Sequence, residues 1–180
     1  MIKVITGAMF SGKSFELIEL LRQLDINTVK IFKPNIDTRD KGIIKSRATA
    51  KEYKALLIDD LKEIPQYIDN NTKTIVIDEA QFLKGDVSII MDLHLKGYDF
   101  IISGLNLTSE GKPFGLMGDI MCVATDIKIL KAKCICCDKI NAEYTFSIKN
   151  KKEDILVGEY YVPICRKCLN KVLNMKGKDD

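Results

Sequence analysis

Eight consecutive residues, Gly7-Ala8-Met9-Phe10-Ser11-Gly12-Lys13-Ser14, set two glycines, a lysine and a serine at the spacing that binds phosphate. The glycines let backbone N–H groups turn inward around phosphate oxygens. The helix N-terminus expected directly after them adds its partial positive charge. Lys13 is the group that reaches the terminal phosphates of a nucleoside triphosphate, and the Ser14 hydroxyl is a ligand for Mg²⁺. The motif has meaning only between a strand and a helix, and the flanks comply. The apolar, β-prone run Ile2–Thr6 precedes it and a helical pattern begins near Phe15.

A second constellation is Asp78-Glu79, at the end of the apolar run Thr74-Ile75-Val76-Ile77. An acid at a strand tip beside a phosphate loop binds Mg²⁺ directly or through water, which assigns Asp78 to the metal. Glu79 is then free to take a proton from an attacking hydroxyl or from water. The competing assignment is an acid that caps a helix start. A third constellation is the pair of knuckles Cys134-x-x-Cys137 and Cys165-x-x-Cys168. Each can aim two thiolates at one ion, and together they complete the tetrahedron of a zinc site. Four sulfur ligands leave no open position, so the zinc is structural. The intervening residues 138–164 are long for a zinc ribbon but can fold as a β-hairpin. Cys136, inside the first knuckle, is a competing ligand. Cys122, among apolar residues, is assigned to packing. His94, the one histidine, lies in an apolar helical pattern and is given no role.

These groups need elements to hold them. The periodicity predicts strands over Ile2–Thr6, Thr28–Phe32, Leu56–Ile58, Thr74–Asp78 and Asp99–Ser103, and helices over Phe15–Leu24, Leu61–Asp69 and Lys84–Lys96. Lys33-Pro34 ends the second strand, because proline lacks an amide donor. Asp37–Lys54, polar and without clear periodicity, reads as a long mobile loop or lid near the phosphates. Strands alternating with helices imply an α/β fold with a mostly parallel sheet covered on both faces. Ligands of such sheets gather at the carboxyl ends of the strands, where these polar motifs lie. Near Lys133, cysteines and short β-like runs replace the alternation. The expected organisation is a nucleotide-binding part over residues 1–132, a small zinc-ribbon-like β domain over 133–175 and a polar tail over 176–180.

The chain has 180 residues, 46% hydrophobic and 29% charged, which suits a folded globular protein. A net charge of +3, with lysines interleaved among acids, argues against a nucleic-acid partner. No apolar run approaches the roughly 20 residues that span a bilayer, so no membrane is expected. Met1-Ile2-Lys3-Val4 runs straight into the first strand, which predicts no signal peptide and a cytoplasmic location. In that compartment six cysteines point to metal or redox chemistry before disulfides.

Five segments in order, Gly7–Ser14 with Met-Phe inside it, Lys33-Pro34-x-x-Asp37-x-Arg39, Asp78-Glu79-Ala80-Gln81-Phe82, Lys112-Pro113-Phe114-Gly115 and the two knuckles, resemble the zinc-containing thymidine kinases. The resemblance spans residue 3 to about residue 170. It implies a P-loop kinase fold, ATP and Mg²⁺, a structural zinc, a homotetramer, and transfer of the γ-phosphoryl of ATP to the 5′-hydroxyl of thymidine. It implies that Glu79 is the general base, working with Lys13. It also implies that Gly7, Ala8, Met9, Phe10, Ser11, Gly12, Lys13, Ser14, Asp78, Glu79, Ala80 and Gln81 contact ATP. Arg39 either joins the phosphate clamp or is a solvated loop arginine. The nucleoside pocket carried over by the resemblance comprises Met9, Asp37, Phe82, Leu105, Phe114, Thr145, Leu156 and Tyr161. A lasso over about Lys152 to Pro163 closes on the base through main-chain groups.

The chain departs from the family pattern at Asn106, at Ser109, which replaces an aromatic, and at Leu156-Val157, which replaces a glycine pair and displaces Gly158. These positions touch base selection and leave the phosphate chemistry intact. A related nucleoside kinase with altered base preference is therefore the alternative. A nucleic-acid-stimulated ATPase would need a basic, aromatic surface near the knuckles. Lys149, Lys151, Lys152, Arg166 and Lys167 supply charge there that Glu153, Asp154 and Glu159 dilute.

Overall fold

The computed structural model describes residues 1–36, 42–46, 49–148 and 160–176. Through residue 130 the order is β1 (Ile2–Gly7), α1 (Lys13–Leu21), β2 (Val29–Pro34), β3 (Ile43–Ser46), β4 (Thr49–Lys54), β5 (Leu56–Ile58), β6 (Thr74–Ile77), α2 (Ser88–Leu95), β7 (Asp99–Gly104), α3 (Met117–Val123) and β8 (Asp126–Leu130). Six strands form one parallel sheet in the order β5-β2-β6-β7-β1-β8. Parallel crossovers are right-handed, so the direction of travel decides which face a helix covers. From β1 the chain runs through α1 to β2, toward one edge. From β6 through α2 to β7, and from β7 through α3 to β8, it runs toward the other.

The apolar residues of the strands divide accordingly. Ile5, Ile31, Val76 and Ile101 pack under α1 with Leu17, Ile18 and Leu21. Ile2, Val4, Phe32, Ile75, Ile77, Phe100 and Ile102 pack against Ile90 and Leu93 of α2 and Met117 and Ile120 of α3. A sheet buried on both faces reads as continuous apolar strands, which is how these segments appear in sequence. The reversal of winding at β1 opens a crevice at the carboxyl ends of the strands, and the phosphate loop lies there.

Several elements differ from the sequence reading. The described part of the stretch read as a loop, Asp37–Lys54, is an antiparallel hairpin, with Ile44 of β3 opposite Tyr53 of β4 and fully buried. The helix expected over Leu61–Asp69 is a 3₁₀ turn, Leu61–Gln66, capped by Asp60 and carrying Pro65, which has no amide to extend it. The helix expected from Lys84 starts at Ser88, because Gly85 is at φ +108° and Asp86 receives the Ser88 amide at 2.8 Å. Helix α3 and strand β8 were not anticipated.

Beyond β8 lie β9 (Ala132–Lys133), β10 (Ile140–Ala142), β11 (Tyr144–Ser147), β12 (Tyr161–Ile164) and α4 (Arg166–Lys176). β9 pairs with β10 and β11 with β12, both antiparallel. Their own core comprises Ala132, Cys134, Ala142, Ile164 and Cys165. Helix α4 was also unforeseen. No helix among the described residues is long and apolar enough to cross a membrane.

Candidate active site and metal centre

The phosphate loop joins β1 to α1 in the predicted way. Gly7, at φ +142°, is the last residue of β1 and pairs with Leu130 of β8. A Cβ there would lie 2.2 Å from the Leu130 carbonyl oxygen, so only glycine lets β1 run this close to β8. Lys13 opens α1, and its ammonium donates to the carbonyls of Gly7 at 3.1 Å and Ala8 at 2.9 Å. The cation is thus held over the loop whose amides would surround a phosphate. Phe10 adopts φ 62°, and its ring is exposed. Met9 donates its amide to the hydroxyl of Thr145 at 3.0 Å.

Asp78 follows β6 and is 4% exposed. It continues the α1-facing row of Val76, which places its carboxylate on the same side of the sheet as the loop. The hydroxyl of Ser103, one row on from Ile101 in β7, donates to it. Ser103 had been given no role. Its signal is a serine at the end of an apolar strand, level with the acid on the neighbouring strand. Lys33, of the Lys33-Pro34 segment, also belongs to this end of the sheet. It is 2% exposed at the end of β2, the next strand beyond Asp78, and donates to the Ile43 carbonyl at 3.4 Å.

Glu79 is in the left-handed region, φ 54° and ψ 40°, a conformation that costs a non-glycine residue about 1–3 kcal/mol. Its carboxylate accepts from Gln81 Nε2 at 2.6 Å, and Gln81 Oε1 accepts the Leu105 amide at 3.0 Å. Ala80 and Gln81 are buried, so Gln81 serves by fixing Glu79 and Leu105. The turn at Gly115 sits directly on this segment. A Cβ at Gly115 would lie 2.0 Å from the Gln81 carbonyl oxygen. That approach brings Phe114 edge-to-face with Phe82, centroids 5.4 Å apart.

The structure therefore brings together Met9 with Thr145, and Phe82, Leu105 and Phe114 around Gln81. Tyr161 opens β12 opposite Ser147. Asp37, Arg39 and Leu156 lie outside the described residues. Cys122 is exposed, not packed. It lines a groove of about 460 Å³ with Val87, Met91 and Asp119, away from the phosphate loop in sequence and in the sheet.

Cys134, Cys137, Cys165 and Cys168 place their sulfurs within 4.8 Å of one another. Tetrahedral Zn–S bonds of about 2.3 Å require sulfurs about 3.8 Å apart. The Cys137–Cys165 pair is at 3.9 Å, so the donor set fits zinc. Burial pushes the Cys134 thiol up, but amide hydrogen bonds from Cys165, Cys136 and Cys137 outweigh it and hold it down at about 6. Hydrogen bonding to Cys165 and burial push Cys168 up. One thiolate raising its neighbours is the behaviour of sulfurs too close to share negative charge without a cation. Cys165→Ser is expected to abolish binding of one zinc per chain. Such sites contribute about 10–16 kcal/mol in small zinc modules, and at about 2–4 °C per kcal/mol for a chain of this size, loss of a ligand should lower Tm by about 20 °C or more. Elemental analysis and thermal unfolding check this. Unchanged zinc content would remove Cys165 from the site.

A parallel α/β sheet, a glycine-lysine loop of phosphate-binding spacing at its switch point, an acid pair on a nearby strand tip and a four-cysteine module that could hold a metal suit a nucleotide-dependent phosphotransferase. The family profile described as thymidine kinase matches residues 1–169. Three similar proteins carry the name thymidine kinase. That of Mycoplasma mobile is 40% identical, covering 93% of this chain and 86% of its own. That of Ureaplasma urealyticum is 36% identical, covering 92% and 80%. That of Porphyromonas gingivalis is 33% identical, covering 94% and 85%. The chain belongs to the thymidine kinase family.

Proposed function

We propose that the chain transfers the γ-phosphoryl group of ATP to the 5′-hydroxyl of thymidine, giving thymidine monophosphate and ADP, with deoxyuridine as a second substrate. The observation that carries this is the Gly7–Ser14 loop after β1 and the acid pair Asp78-Glu79 after β6, at the same end of one parallel sheet, in a chain that matches the family from residue 1 to 169. Lys13 neutralises the transferring phosphate. Ser14 and Asp78 offer the hard oxygen donors that would hold Mg²⁺, which would supply positive charge to the transferring phosphate. Glu79 takes the proton of the 5′-hydroxyl as that oxygen bonds to the γ-phosphorus and the bond to the ADP oxygen breaks. Gln81 keeps the carboxylate aimed through its 2.6 Å hydrogen bond.

We assign residues 1–132 to the nucleotide domain and 133–175 to a metal-bearing domain, a division supported by their separate cores, with Ala132 at the boundary packing into the second. The small net charge supports the absence of a nucleic-acid partner. A cytoplasmic homotetramer follows from the same reading. Edge strand β8, which exposes Ile127 and Ile129, supports assembly between copies.

Base choice tests the reading. Thymidine and deoxyuridine share O2, N3–H and O4, whereas deoxycytidine offers an amino group at C4 and no N3 proton. Each buried group left unpaired by that mismatch costs about 1–3 kcal/mol. The thymine methyl is read by apolar contact alone, worth about 1–3 kcal/mol, with Met9, Phe82 and Phe114 as the candidate surface. With ATP, kcat/KM is expected to be highest for thymidine, modestly lower for deoxyuridine and very low for deoxycytidine. Efficient phosphorylation of deoxycytidine or of purine nucleosides would overturn thymidine as the substrate.

A further inference from the structure

We propose that Thr145 is a positioning residue through which the four-cysteine centre sets the geometry of the phosphate loop, so that metal loading governs nucleotide affinity. Thr145 lies on β11 and is 6% exposed. Its hydroxyl accepts the Met9 amide at 3.0 Å, in the middle of the loop. The next residue, Phe10, holds φ 62°, a backbone conformation that persists only where neighbours enforce it.

On the other side, Thr145 pairs with Pro163 of β12. The Pro163 carbonyl accepts the Ile135 amide at 3.0 Å. Ile135 directly follows Cys134 in the first knuckle, and Cys165 directly follows β12. The Cys165 amide in turn donates to the Cys134 sulfur at 3.4 Å. Two hydrogen bonds and one strand pairing therefore connect the cysteine cluster to the loop. A second grip reinforces the first, because Gly7 packs on the Leu130 carbonyl just before Ala132 enters the module core. The loop is braced at Gly7 and Met9 by segments on the module side. An ion held by the four sulfurs would fix both knuckles, and hence Ile135, Pro163 and Thr145.

This rests on the loop's role as the nucleotide site. The test is titration calorimetry of a non-hydrolysable ATP analogue with Mg²⁺, and separately of thymidine, on the wild-type chain, Thr145→Val and Thr145→Ser. Valine keeps the shape and removes the acceptor, and serine restores it. Thr145→Val should bind the analogue about five- to tenfold more weakly and Thr145→Ser within twofold of wild type, the scale of one buried hydrogen bond. Chelator-stripped wild type, with its far-ultraviolet circular dichroism retained, should show the same weakening. Stripping Thr145→Val should then add little, since both changes act through one contact.

Analogue affinity unchanged in Thr145→Val, with thymidine affinity alone reduced, would make Thr145 a wall of the nucleoside pocket and overturn the proposal. So would a full additional loss on stripping that variant. Failure of the wild-type chain to bind the analogue would be a separate result. It would remove the nucleotide assignment of the loop itself, and this inference with it.

Discussion

Glu79→Gln is expected to lower kcat by about two to four orders of magnitude, the worth of a positioned general base, while ATP and thymidine still bind. The substitution changes one atom of the carboxylate and keeps its shape. The backbone at φ 54° is unaffected by that exchange, so Tm should stay close to wild type. A second variant separates chemistry from architecture. Glu79→Gly relieves the left-handed strain of about 1–3 kcal/mol, offset in part by the entropy of glycine, and should leave the fold at least as stable while losing activity as Glu79→Gln does. Steady-state kinetics with thermal unfolding measure both. Turnover near wild type in Glu79→Gln would take Glu79 out of the mechanism.

Lys13→Ala should weaken ATP binding and reduce turnover together, by about two to three orders of magnitude in kcat/KM. The transferring phosphoryl group spreads charge over its oxygens, and its catalysis is largely electrostatic. Removing the ammonium also deletes its hydrogen bonds to the Gly7 and Ala8 carbonyls, so the loop loses an internal brace as well as a charge. Lys13→Arg keeps the charge but replaces a compact ammonium by a planar fork that does not fit the same two carbonyls. Partial recovery in Lys13→Arg would measure the charge alone. Efficient nucleoside phosphorylation by Lys13→Ala would place the phosphate site elsewhere.

The parts of the site legible in sequence are those where backbone geometry or ligand chemistry demands particular residue types. Gly7 and Gly12 take positive φ that other residues rarely adopt, and four sulfurs at paired spacing have few other uses. The central strands were legible because burial on both faces makes them continuously apolar. The hairpin β3–β4 was hidden because its buried contribution falls chiefly on Ile44 and Tyr53, amid exposed lysines. Helix α3, at seven residues, is too short to show a period. Strand β8, Asp126-Ile127-Lys128-Ile129-Leu130, does alternate, but it is only five residues long and its isoleucines are exposed rather than buried.

Contacts between distant positions were the least legible. Ser103 reaches Asp78 across 25 positions and Thr145 reaches Met9 across 136, and no local pattern encodes either. The left-handed turn at Glu79 was equally silent, because glutamate is an ordinary residue whose backbone is forced by its neighbours.

The place of β1 in the sheet has a consequence for biosynthesis. This strand leaves the ribosome well before its two partners, β7 and β8, which end at residues 104 and 130. At about 5–20 residues per second, Ile2–Gly7 waits several seconds to tens of seconds with both hydrogen-bonding edges unmet. Meanwhile β2, β5 and β6 are already available to pair with one another. The chain thus assembles from one flank of the sheet toward its opposite end. The loop carrying Lys13 has both of its flanking strands only once residue 130 has emerged, so a nucleotide cannot act as a folding template for the nascent chain before then.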